Sequence, residues 1–101
     1  MPIYNIITKE QTLQQVQGTA IVLDDFEQFN FFYYEPAVVS LFMGKPEYTF
    51  VISEASTGTA VGYGMNLLQA MADARFRLNT VSADGFSTMI KKQLAKGIRA
   101  N

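Results

Sequence analysis

Phe26-Glu27-Gln28-Phe29-Asn30-Phe31-Phe32-Tyr33-Tyr34 holds six of the chain's thirteen aromatic rings in nine positions. Extended, it sends Phe29, Phe31 and Tyr33 to one side and Phe32 and Tyr34 to the other, because successive side chains on a strand alternate. Both sides are then apolar. A strand with one face in water alternates apolar with polar, so this one is either covered twice or keeps an aromatic surface for a partner. No residue pattern in the chain identifies a reaction, and that choice is the nearest the sequence comes to naming a function.

Working outward, Thr19-Ala20-Ile21-Val22-Leu23 is β-branched and apolar, and Asp24-Asp25 reads as a turn, so this run and the aromatic one form a hairpin. Upstream, Ile3 to Ile7 reads as extended. Thr8 with Gln11 resembles a capping box and Gly18 a helix stop, which predicts a short helix over about residues 9–17, with a polar loop as the rival. Downstream of Pro36, Ala37 to Met43 runs apolar to the turn signal Gly44-Lys45-Pro46-Glu47. Tyr48 to Ser53 and Thr59 to Tyr63 are two more strands around a turn at Glu54 to Gly58. Short connections of this kind favour an antiparallel meander.

The period then changes. Asn66 caps a helix with Gln69 at its third position, and Leu67, Met71, Ala74 and Leu78 form a stripe that lies on the sheet. A second ridge, Leu68, Ala72 and Phe76, faces elsewhere and is assigned to cover by the last segment. Ser82 or Asp84 caps that segment, in which Phe86, Ile90, Leu94 and Ile98 recur every four residues opposite Lys92, Lys96 and Arg99.

Composition bounds the rest. At 101 residues and 49% hydrophobic, the chain is one domain, residues 1–101, able to bury a core without cross-links. It has no cysteine, which removes disulfides and thiolate chemistry and fits a cytoplasmic home. It has no histidine, which removes the usual general base and the commonest metal ligand. No apolar run approaches the ~18 residues of a membrane span. Residues 1–54 carry seven acids and two bases, about −5, and residues 55–101 carry six bases and two acids, about +4. Halves so charged attract each other in the folded state.

Gly58-Thr59-Ala60-Val61-Gly62-Tyr63-Gly64 runs from a strand into a helix, where a phosphate loop would sit, but the spacings of both phosphate-loop signatures fail. The glycines instead allow a tight turn and close packing. In spacing, Gly62, Gly64, Ala70 and Ala74 resemble the end of a double-stranded-RNA-binding domain, where Gly-x-Gly leads into a helix packed on a sheet. Leu67 and Leu68 stand where that family has its phosphate-gripping lysines, so the resemblance implies the turn geometry without RNA binding. The strand Phe29 to Tyr34 invites comparison with the base-stacking strand of RNA-recognition-motif domains, but Glu27 and Gln28 replace its basic residue and glycine. Asp24, Asp25 and Glu27 lack calcium-loop spacing and read as a solvated turn. The serines have no histidine to activate them.

The expectation is therefore an α+β domain: an antiparallel β-meander of four to five strands followed by two C-terminal helices packed on one face. No catalytic, metal or cofactor-binding residue is expected. The leading expectation is a non-enzymatic interaction module, with Phe29, Phe31, Phe32, Tyr33 and Tyr34 as a protein-binding face for a protein partner or a second copy in a homodimer. The alternative is nucleic-acid binding by Arg75, Arg77, Lys91, Lys92, Lys96 and Arg99 on the helices. An accessory role on a mobile element suits the size, but no residue carries it.

Overall fold

The computed structural model describes residues 2–8, 10–36 and 41–101, with residues 41 and 42 as backbone only. Strands β1 (Ile3–Ile7) and β2 (Leu13–Gln17) form an antiparallel hairpin that pairs Tyr4 with Val16 and Ile6 with Gln14. Gly18 turns the chain out of this hairpin and into β3 (Thr19–Ile21). Its lack of a side chain is used, because a Cβ there would lie 2.9 Å from the Phe32 ring and 3.1 Å from the Tyr33 carbonyl oxygen.

The central sheet has four strands in the order β3, β4 (Phe31–Tyr34), β7 (Phe50–Glu54) and β8 (Ala60–Gly64), each antiparallel to its neighbour. Between β4 and β7 lies a separate small hairpin of β5 (Leu41–Phe42) and β6 (Lys45–Pro46). The reversal in it falls at Met43 and Gly44, both with positive φ, rather than at residues 44–47. Residues 37–40 of the expected strand Ala37 to Met43 lie outside the described residues.

Helix α1 (Leu67–Ala95) completes the fold. Asn66 caps it as expected: its side-chain oxygen accepts the Gln69 N–H at 2.9 Å, and Gln69 Oε1 accepts the Met65 N–H at 3.0 Å. Ser82 interrupts the span with φ 69 and ψ 160, and its Oγ accepts the Gly85 N–H at 3.1 Å, so it caps the C-terminal part of the helix.

The α+β class stands, but the expected layout is corrected in three places. The strands do not form a single meander, because they divide among three sheets. The C-terminal region is not two helices joined by a turn of about seven residues but one helical span broken at a single residue. The helix expected over residues 9–17 is replaced by β2 and its turn. There Thr8 and Thr12 close the reversal, the Thr8 N–H donating to the Thr12 carbonyl at 2.9 Å. Pairing with β1 overrides the helix propensity of the glutamines.

The sheet is thus covered on both faces. Against the helix side pack Phe31, Ile52, Val61, Ala70, Ala74, Leu78, Phe86 and Ile90, with Leu23 and Phe26 from the loop before β4. Against the hairpin side pack Ile6, Phe32, Tyr34 and Val51, flanked by Tyr4, Val16, Tyr48 and Tyr63. At about 25 cal/mol per Å² of buried apolar surface, two such layers around one aromatic strand make it the energetic centre of the fold.

The two ends of the chain meet on the hairpin. The Asn5 N–H donates to the Asn101 side-chain oxygen at 2.8 Å, and the Asn101 amide donates to the Asn5 and Ala55 carbonyls at 2.9 and 2.6 Å. Ala55 belongs to the β7–β8 turn, which Glu54 organises from a buried position. Its carboxylate accepts the Ser56 and Thr57 N–H groups at 3.0 and 3.1 Å and both neighbouring hydroxyls.

Candidate functional site

The expected aromatic face does not exist as a surface. Phe31 is 2% exposed and Phe32 0%, and Tyr34 is also buried. Phe29 and Tyr33 are half-buried and pack against the helix-side core. Phe29 meets Phe86 edge-on with centroids 4.9 Å apart, and Tyr4 from the hairpin stacks on Phe32 at 4.1 Å and 8°. Each of the five rings is engaged within one subunit, because β1 and β2 supply the second cover that a helical layer alone would lack.

Unsatisfied apolar surface lies instead on the first half of α1. Its inner side is pressed against β8: a Cβ on Gly62 would stand 2.7 Å from the Ala70 carbonyl oxygen and the Ala74 Cβ, and one on Gly64 would strike the Ala70 nitrogen. Small residues therefore face inward. At 100° per residue, Leu68 and Phe76 each fall within about 40° of Ala72, diametrically away from Ala70 and Ala74. Leu68 is 80% and Phe76 72% exposed, and Ala72 is exposed between them. The cover assigned to this ridge from the last segment is absent, since Phe86 and Ile90 turn to the sheet. Polar side chains, among them Gln69, Asp73, Arg75 and Arg77, flank this ridge, so the helix is covered on its sheet side and carries Leu68 and Phe76 uncovered on the other.

One edge of the stripe carries Arg75. The other carries a locked group: Asp73 Oδ2 accepts both the Tyr63 N–H and the Arg77 Nε–H at 2.9 Å, and the Arg77 guanidinium lies 5.3 Å above the Tyr63 ring. Tyr63 also packs on Tyr48, centroids 4.8 Å apart. Burial, reinforced by the Tyr63 and Tyr48 phenols, pushes the Tyr34 phenol up to about 12. Burial and then Tyr48 raise Tyr63 in the same direction, against the opposing pull of Arg77. Tyr34 and Tyr63 therefore keep their protons at neutral pH, and the cluster is held by ring packing.

The basic residues divide into two groups. Arg77 is engaged by Asp73 and Arg75 is half-buried, whereas Lys91, Lys92, Lys96 and Arg99 are all exposed, in a stretch from residue 85 onward that holds no acid. The spacing of Leu68, Ala72 and Phe76 was the legible signal of the exposed face: two apolar ridges on one helix demand two covers. Among the described residues, no three acidic side chains gather as a metal site would require. No family model, curated protein or solved structure matches the chain.

Proposed function

We infer that the protein is a non-enzymatic interaction module whose contact surface is the outward face of α1, formed by Leu68, Ala72 and Phe76. The observation that carries this reading is the exposure of Leu68 and Phe76, at 80% and 72%, two turns apart on a helix whose opposite side is clamped by Gly62 and Gly64. A helix presenting apolar residues at four-residue intervals, here Leu68, Ala72 and Phe76, is the form in which helices dock onto helices or grooves. The aromatic strand has no part in it, being used in the core.

The test compares the wild type with Leu68→Ser/Phe76→Ser. The variant should melt at the same temperature or higher, because neither side chain supports the core, and should lose every complex that the wild type forms with itself or with a tagged-bait partner. Retention of those complexes, or their absence from the wild type, defeats the reading.

The second reading is nucleic-acid binding, narrowed to Lys91, Lys92, Lys96 and Arg99, and favoured by their common exposure without a nearby acid in sequence. Phosphate binding by about four cations makes log affinity fall with log salt at a slope of about −3 to −4. No retention of single- or double-stranded DNA or RNA at low salt would remove it.

A further inference from the structure

We propose that Ser82 is a hinge about which residues 83–101 swing out on a continuous helix and exchange with the same segment of a second copy. What carries it is the break in α1, so it stands apart from the outward face of that helix.

The closed arrangement is strained at one residue. The chain is helical on either side of Ser82, yet Ser82 itself holds φ 69 and ψ 160, a region that side chains rarely enter. Its Oγ accepts the Gly85 N–H, which offsets part of the strain in the closed form alone. Helical angles at this residue would remove the strain and continue the helix, carrying residues 83–95 straight on and away from the sheet. A single residue cannot both continue the helix and fold it back, so the local preference of Ser82 opposes its place in the closed fold.

Everything that residues 83–101 contact in the closed form is offered again by a second copy. Phe86 sits beside Phe29 and Phe31, with centroids 4.9 and 6.2 Å away, and Ile90 enters the same core. The Thr59 hydroxyl donates to Gln93 Oε1 at 3.0 Å, the Ala100 N–H donates to the Ser56 carbonyl at 2.8 Å, and Asn101 bonds the Asn5 backbone. Charge favours capture as well: residues 83–101 carry four bases and one acid, net +3, and residues 1–82 carry four bases and eight acids, net −4. Two open copies therefore recover the contacts of two closed ones with the strain of both hinges relieved. Because Phe86 and Ile90 are buried, the segment opens only on partial unfolding, and freshly prepared native protein stays closed.

The test holds the full chain at high concentration at its urea midpoint, removes the urea by dialysis and separates the 11.3 kDa monomer from a dimer of twice that mass. Ser82→Ala loses the cap and favours the helix, and should raise the dimer association constant at least ~10-fold over the wild type. Ser82→Gly is at ease in the closed turn and poor inside a helix, and should lower the constant at least ~10-fold. Each substitution acts twice, once at each hinge. The natural absence of cysteine permits a check of the exchange itself. When Thr59→Cys chains are mixed with Gln93→Cys chains before the urea step, a short thiol cross-linker should join the two kinds of chain in the dimer fraction. No dimer from the wild type or Ser82→Ala, equal yields from Ser82→Ala and Ser82→Gly, or a dimer that lacks this cross-link overturns the proposal. The last of these results would leave surface association through Leu68 and Phe76 standing.

Discussion

Asp73 accepts the backbone N–H of Tyr63 at 2.9 Å, so a helix side chain occupies a hydrogen-bonding position on the outer strand of the sheet. An exposed strand edge is a template for unwanted pairing, and a carboxylate placed on it blocks that edge while tying helix to sheet. Arg77, four residues on, holds the carboxylate in place. Asp73→Ala should cost about 1–2 kcal/mol in urea denaturation, the penalty of leaving that N–H without its partner. Asp73→Asn, which keeps an acceptor, should cost less than half as much. Amide exchange at Tyr63 should quicken in Asp73→Ala ahead of its neighbours, and an unchanged rate would detach Asp73 from this role.

Ser82 occupies a backbone region with φ 69 and ψ 160 that is close to exclusive to glycine. Its hydroxyl offsets part of that strain by capping Gly85. Ser82→Gly should therefore stabilise by about 0.5–1.5 kcal/mol, since glycine relieves the strain and loses only a few tenths as a cap. Ser82→Ala keeps the strain and loses the cap, and should cost about 1 kcal/mol. Opposite signs in thermal melts of the two variants are the expected outcome.

Ser53 Oγ is fully buried without a hydrogen-bond partner among the described residues, on the strand position paired with Phe32. A buried unsatisfied hydroxyl costs about 1–3 kcal/mol. Ser53→Ala removes it with little change of volume and should raise stability by about 1 kcal/mol. A loss of stability on chemical denaturation would show that the hydroxyl finds a partner in solution.

Tyr34 titrates at about 12 in the folded protein, above the ordinary tyrosine value near 10, because burial and its phenol neighbours disfavour the phenolate. Folding therefore favours the protonated phenol. The associated stability is complete below pH 10 and is lost as pH rises from about 10 through 12, with Tyr63 adding in the same sense. Denaturation midpoints should fall across that window, and Tyr34→Phe should flatten the decline. An absorbance titration should show Tyr34 and Tyr63 ionising late.

Local signals carried the legible part of the fold. Asn66 and Gln69 announced the helix start, and of the two caps read for the last segment, Ser82 or Asp84, Ser82 takes the role, though without the seven-residue turn expected before it, because capping is decided within three residues. The β7–β8 hairpin was readable from its turn residues. What escaped was tertiary. Leu13 to Gln17 has helical propensity, yet Val16 faces Tyr4 over Phe32, and that pairing decides its state. Reading β2 as helix removed a cover from the sheet and left the aromatic strand looking like a surface. The helix ridge suffered the reverse error: Leu68 and Phe76 were given a cover that Phe86 and Ile90, committed to the sheet, do not provide.

Asn101 accepts from and donates to the backbone of Asn5 across 96 positions of sequence. Asn101 is thus a clasp for the flap that shelters Phe32, and loosening it uncovers rings at the centre of the sheet. Loss of that clasp would announce itself as stickiness from the interior, with no binding face of the native molecule involved.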